Sequence, residues 1–326
     1  MIISRTPLRI SFFGGGTDLR EFYGNEGGAI LSSAVNKYIF ITVNRKFDDH
    51  IRISYSKTEI VETLDEVKHD LIREAMRLTG VTGGIEITSI ADIPSQGTGL
   101  GSSSTFTVGA LNALYAYKGQ HISSEKLANE ACRIEIDVIS EPIGKQDQYI
   151  AAYGGLQFVQ FNRDGSVFVD PVVISREKKE LLQNSLMLFY TGITRKANSI
   201  LAEQKSNSST SKINELKKLK ELALEGKKIL ESNNSLIEFG KLLDESWKIK
   251  KTLASGISNE EIDDIYGKAI KAGALGGKIL GAGGGGFILL HVPQEIQNNI
   301  KSTLYPLKQV DFCFEPQGSK IIYVSD

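Results

Sequence analysis

Apolar and polar positions alternate through the N-terminal part of the chain in short runs that read as strands. Residues 2–4, 9–13, 37–44, 51–55 and 84–89 carry β-branched and aromatic side chains at partial period two. Between them Leu64, Val67, Leu71 and Ala75 recur at helical spacing and predict a helix over 64–78. Two more helices are predicted over 105–118 (Val108, Leu111, Leu114 and Tyr115 inward) and over 124–139, capped by Ser123 or Ser124. Residues 153–161 and 167–174 read as a hairpin, because Asp164-Gly165 suits its turn. The texture then changes: a strand at 186–190 is followed by helices over 197–205, 212–230 and 236–253, with a polar break at 206–211 expected to be a mobile surface loop. A helix (259–272), a glycine-broken strand pair (278–291), a helix (294–303) and strands at 309–314 and 320–324 complete the pattern. That order predicts an α+β chain of two lobes, 1–183 and 184–326, without internal repeats.

Composition narrows the partners. A length of 326 residues favours two lobes, and 41% hydrophobic with 24% charged residues is globular usage. A net charge of −1 provides no general field for nucleic acid or acidic membranes, so any basic site must be local. The lysines of 205–228 are interrupted by Glu215, Glu221 and Glu225, while Ile213, Leu216, Leu219 and Ala223 form an apolar stripe. That is a solvated helix face rather than a nucleic-acid patch. Cys132 and Cys313 form no metal or redox spacing. With no signal-peptide pattern and no run approaching the ~20 apolar residues of a membrane span, a cytoplasmic protein without nucleic-acid or membrane partners is expected; oligomeric state stays open.

Pro94 to Ser104 reads Pro-Ser-Gln-Gly-Thr-Gly-Leu-Gly-Ser-Ser-Ser and runs straight into a helical pattern. Gly97, Gly99 and Gly101 allow tight turns that bring main-chain amides to a ligand, with Thr98 and Leu100 between them. Ser102, Ser103 and Ser104 can cap the helix, whose free N–H groups and positive dipole end favour a phosphate. The pattern points to a nucleotide triphosphate with a serine-bound metal, or to a plain glycine-rich turn before a capped helix.

Three further clusters carry chemistry. In the first, Arg9 precedes Gly14-Gly15-Gly16-Thr17-Asp18. A strand arginine can face a cleft and Asp18 can accept bonds from sugar hydroxyls, or the glycines are a bulge and Asp18 a turn acid. In the second, Glu135 and Asp147 stand twelve residues apart; one could hold a divalent cation and the other face a nucleophile's proton, with Lys145 favouring the ionised form of Asp147. In the third, Gly281-Ala282-Gly283-Gly284-Gly285-Gly286 satisfies the dinucleotide pattern Gly-x-Gly-x-x-Gly, but a strand-like run follows it instead of a helix. A mobile loop closing over substrates fits better, with a β-turn as the plain alternative.

Taken together these motifs resemble the GHMP kinases, the superfamily of galactokinase, homoserine kinase and mevalonate kinase, over essentially the whole chain. The resemblance implies a two-lobed fold, with a ribosomal protein S5 domain 2-like N-terminal lobe and a ferredoxin-like C-terminal lobe. It implies ATP and Mg2+ as cofactors, with Pro94–Ser103 wrapping the phosphates, Ser103 and Glu135 on the metal, and Asp147 as the catalytic carboxylate. The spacing after Pro94 is one residue longer than the family's. The first cluster resembles galactokinase's motif, which transfers a catalytic arginine to Arg9 and a sugar-binding aspartate to Asp18. The glycine run resembles the third family motif and places Gly283 and Gly284 at the substrates.

One departure is informative: Gly15-Gly16 replaces galactokinase's Glu-His. Gly-Gly-Gly-Thr-Asp, like Gly144-Lys145-Gln146-Asp147-Gln148-Tyr149, resembles the heptose 7-phosphate kinases of this superfamily. That resemblance implies transfer to the anomeric C1 hydroxyl of a heptose 7-phosphate, feeding GDP-heptose formation. Lys145 and Arg195 are the candidate cations for the sugar's phosphate. A neutral-sugar 1-kinase acting on galactose or fucose is the close alternative, and a non-catalytic nucleotide or sugar sensor the alternative from another class.

Overall fold

The computed structural model describes residues 1–94, 97–193, 197–208 and 211–325. Among them a large mixed sheet runs in the order Lys320–Val324, Ile2–Phe13, Gly28–Arg45, Ile85–Ala91, Ile51–Ser54, Thr58–Val61, and the hairpin Leu156–Phe161/Val167–Pro171 branches from strand Gly28–Arg45. A smaller antiparallel sheet runs Lys308–Gln309, Leu186–Tyr190, Phe287–His291, Gly276–Ile279. The last strand lies beside the first in the large sheet, so the chain ends in the lobe where it began.

The first strand is longer than alternation alone indicates. It runs through Pro7, which has no N–H for the ladder, and the register against Gly28–Arg45 slips between Pro7 and Leu8. From Thr6 to Phe13 every residue is buried, because helices pack on both faces. Phe12 and Phe13 both meet Phe239 edge-on, with centroids 5.4 and 5.1 Å away. Phe239 lies on helix Leu236–Lys250, so this aromatic cluster ties the second lobe to the strand that carries Arg9.

Elsewhere the boundaries moved for local reasons. The helix expected over 64–78 is a 3-10 turn (Leu64–Glu66) and a separate helix (Asp70–Thr79), since Val67 and His69 are extended. The helix expected over 124–139 switches at Cys132 into the π-helix Arg133–Val138. Short helices Arg20–Glu26, Gln146–Tyr153 and Arg176–Asn184 carried no clear periodic signal. Of the strand expected at 309–314, Lys308–Gln309 and a single bridge at Phe314 form. The polar break at 206–211 is helical to Ser208, whose hydroxyl bonds Gln204 O; 209 and 210 lie outside the described residues. No helix among the described residues is long and apolar enough to cross a membrane.

Candidate active site

A cleft of about 740 Å³ opens between the lobes. Its walls bring together Arg9, Gly15, Gly16, Asp18, the stretch Gly97–Ser104 except Leu100, Glu135, Asp147 and the C-terminal glycine run. These residues are far apart in the chain and converge because strand Ile2–Phe13 and helices Ser102–Tyr117 and Gln146–Tyr153 pack on one another.

The glycine loop forms one end of the cleft. Gly97, Gly99 and Gly101 all have positive φ (70°, 74° and 78°), which a side chain would strain. The helix begins at Ser102 with Gly101 as its N-cap and no side-chain cap. The serines therefore do not cap, contrary to the sequence expectation. They form the first turn, where the N–H groups lack intrahelical acceptors and suit an anion. Leu100 is fully buried and acts through its backbone, its carbonyl accepting from Arg9 N at 3.0 Å.

The C-terminal glycine run is the opposite wall. A Cβ on Gly281 would lie 2.6 Å from Gly99 Cα, and one on Gly286 would lie 2.5 Å from Thr98 O. The run is packed on the phosphate loop rather than poised above it. Gly283 lines the cleft, whereas Gly284 does not and donates its N–H to Ile257 O.

At the centre, Arg9 is 3% exposed and grips Asp147 through two parallel bonds, Nε to Oδ1 and Nη2 to Oδ2, both 2.7 Å. Its third arm, Nη1, donates to Gly99 O at 2.6 Å. Gln146 Nε2 adds a bond to Asp147 Oδ1 at 3.1 Å, and Ser11 Oγ donates to Gln146 Oε1 at 2.8 Å. Oδ1 is thus doubly engaged, and Oδ2 keeps a lone pair for a proton-bearing group. Arg9, not Lys145, is the charge partner of Asp147.

Asp18 sits next along the cleft. Gly16 N–H donates to its Oδ1 at 2.9 Å and Gln146 N–H to its Oδ2 at 3.1 Å. Burial is the largest influence on Asp18 and pushes its carboxyl up, with Asp147 adding to the rise against the two backbone bonds. Gly14 and Thr17 stay outside the cleft. Thr17 Oγ1 exchanges hydrogen bonds with Ala29 backbone, and a Cβ on Gly14 would strike Ala29 O at 2.0 Å. They pin the loop to strand Gly28–Arg45.

Glu135 is 1% exposed on the π-helix, which turns it toward the phosphate-loop helix. Gln148 Nε2 donates to its Oε2 at 2.5 Å, and Ser104 and Thr107 hydrogen-bond the same carboxyl. Burial pushes its pKa up to about 7, beyond what those neutral donors offset. The Ser103 hydroxyl lines the same cleft as the Glu135 carboxyl. That hard-oxygen pair fits a magnesium ion that keeps its remaining positions for water and phosphate oxygens.

Two expected cations fall elsewhere. Lys145 points away from the cleft: its Nζ donates to Gly165 O at 2.8 Å and lies 5.1 Å from the Tyr23 ring centre. The hairpin turn's carbonyl captures it, so it is not brought into the cleft. Arg195 lies outside the described residues. Instead the cleft holds Lys250 and Lys278, which motif reading passed over. Lys250 was findable, since it continues the buried stripe Phe239, Leu243, Trp247 of its helix. Burial brings Lys250 down to about 8, against the pull of Asp18, and Lys278 down to about 7, reinforced by Lys250 and Arg9.

The chain matches the GHMP kinases N terminal domain over residues 59–155 and the GHMP kinases C terminal domain over 227–306. It is 32% identical to the D-glycero-alpha-D-manno-heptose 7-phosphate kinase of Campylobacter jejuni, over 98% of both chains. It is 28% identical to the L-fucokinase/L-fucose-1-P guanylyltransferase of Bacteroides fragilis, over 89% of this chain and 34% of that one. A crystal structure of a D-glycero-D-manno-heptose 1-phosphate kinase from Bacteroides thetaiotaomicron superposes with a TM-score of 0.83 at 25% identity, covering 100% of both chains. With its motifs in the family's order and in one cleft, the chain belongs to the GHMP kinases.

Proposed function

We propose that the protein transfers the γ-phosphoryl group of Mg·ATP to the anomeric C1 hydroxyl of D-glycero-D-manno-heptose 7-phosphate, giving the 1,7-bisphosphate. The observation that carries this reading is the bidentate Arg9–Asp147 pair, set between the uncapped helix start and Asp18 in one cleft. The likeness to the Campylobacter heptose kinase supports the choice of sugar.

On this reading Asp147 Oδ2 orients the C1 hydroxyl and takes its proton as the oxygen attacks phosphorus. Arg9 fixes that carboxylate and faces the charge developing between acceptor and phosphoryl group. The amides of Gly97–Ser104 hold the phosphates. Ser103 and Glu135 would hold magnesium, which when bound neutralises phosphoryl oxygens. Asp18, locked by two backbone N–H groups, accepts from a sugar hydroxyl. Phosphoryl transfer needs mainly positioning and electrostatic stabilisation, so these parts suffice. Residues 1–183 form the nucleotide lobe and 184–326 the second lobe, with strand Lys320–Val324 woven back into the first. A cytoplasmic setting is part of the same reading.

A neutral-sugar 1-kinase is the second reading, favoured by Lys145 facing away from the cleft and by the fucokinase relative. Comparing kcat/KM for heptose 7-phosphate, free heptose, galactose and fucose separates them. Preference for the phosphorylated heptose is expected; preference for a neutral sugar replaces this reading with the second.

A further inference from the structure

The cleft contains two buried lysines with which no carboxylate forms an ion pair. Lys250 is 6% exposed and Lys278 5%, and both line the cleft. Lys250 Nζ donates to Gly15 O at 3.1 Å and to Gln204 Oε1 at 3.0 Å, and Lys278 Nζ donates to Phe12 O at 3.1 Å. All three acceptors are neutral. Among the described residues neither lysine stands within ion-pair distance of an acid. Each ammonium has three N–H donors, so one remains on Lys250 and two on Lys278. Asp18 is the carboxylate that Lys250 senses, but it stands beyond ion-pair distance, each of its oxygens accepting one backbone N–H from Gly16 or Gln146.

Two buried like charges beside each other are unfavourable unless an anion joins them. Lys250 lies by the Gly15–Asp18 segment: its Nζ bonds the Gly15 carbonyl and Gln204, and Asp18 is its carboxylate neighbour. Lys278 has Lys250 and Arg9 as its charged neighbours, on a strand that runs on into Leu280, whose carbonyl faces Gly99 of the glycine loop.

We propose that Lys250 and Lys278 form the subsite for the phosphate that the sugar acceptor already carries, a phosphomonoester dianion remote from the reacting hydroxyl. This rests on the sugar-phosphate kinase reading above. The three remaining N–H donors match the three terminal oxygens of such a group. Gln204 is the positioning residue: its carboxamide holds Lys250, and it packs where a Cβ on Gly16 would come within 2.2 Å of its Nε2. The absence of a side chain at Gly16 thus makes room for the group that aims Lys250. The subsite also spans the lobes, since Lys250 lies three turns beyond the Phe239 anchor and bonds the Gly15 carbonyl.

The test uses the full-length protein and the variants Lys250→Met, Lys278→Met and Lys250→Arg, assayed on heptose 7-phosphate and on unphosphorylated heptose. Lys250→Met should lower the ratio of kcat/KM for the phosphorylated over the plain sugar by roughly 10–100-fold, the value of a charge-assisted contact. Most of the loss should appear in KM for the sugar phosphate, with Lys250→Arg recovering part of it. Equal losses on both sugars would make the lysine purely structural, and a raised KM for ATP would assign it to the γ-phosphoryl group; either overturns the proposal. Thermal unfolding with inorganic phosphate, Mg·ADP filling the nucleotide end, provides the second readout. Phosphate should raise the midpoint of the wild type and not of Lys250→Met, whereas equal shifts overturn the subsite. If the wild type ignores heptose 7-phosphate, the kinase reading fails while this unfolding comparison still decides the subsite.

Discussion

A Cβ on Gly144 would stand 2.0 Å from Asp18 Oδ2 and 2.4 Å from its Cγ. The turn at Gly144 wraps the Asp18 carboxylate so closely that the N–H of Gln146, the first residue of helix Gln146–Tyr153, bonds the same oxygen. Asp18 and Asp147 are thereby placed by one stretch of backbone. Gly144→Ala should displace Asp18 and raise KM for the sugar roughly 10–100-fold, the cost of losing one or two buried hydrogen bonds, with a smaller effect on kcat. Steady-state kinetics at saturating ATP checks this. An unchanged sugar KM would show that Asp18 does not hold the acceptor.

Asp147→Asn keeps the shape but sets an amide N–H against an Arg9 donor and removes the proton acceptor. Turnover should fall by on the order of 10²–10⁴, the range of general-base contributions, with KM for ATP little changed. Near-normal turnover would remove Asp147 from the chemistry.

On the proposed reading, in which Glu135 holds magnesium, this residue links metal use to pH. Its pKa of about 7 is raised because burial disfavours the charge, and a divalent cation requires the charged form. A proton therefore competes with magnesium below that value. The magnesium concentration for half-maximal rate should climb as pH falls below 7 and level off above it. Titrating magnesium from pH 6 to 8 in wild type and Glu135→Gln isolates the effect. The same pH dependence in both proteins contradicts it.

Legibility in the sequence followed how local each signal was. The glycine loop and its helix were readable because three glycines and three serines at one junction have few other physical uses. Arg9, Asp18, Glu135 and Asp147 were named from motifs, but the Arg9–Asp147 bonding was not, since nothing in local spacing shows that a strand and a distant helix will meet. Lys145 misled because adjacency to Asp147 in sequence is not adjacency in space: the helix start turns it toward Gly165. The first strand was read as two runs, 2–4 and 9–13, where the structure has one strand carried past Pro7 by a register slip. Lys278 was hidden in a glycine-flanked strand, where a buried lysine differs from a surface one only through tertiary packing, whereas Lys250 was passed over although it continues the apolar stripe of its helix.

The central claim concerns which atom receives the phosphoryl group, and phosphorus NMR of the product from Mg·ATP and heptose 7-phosphate tests it most directly. One equivalent of ADP should appear with a second sugar phosphorus signal coupled to the anomeric proton, the original C7 signal remaining. ADP without that anomeric phosphate, or a new phosphate at another carbon, would contradict the account.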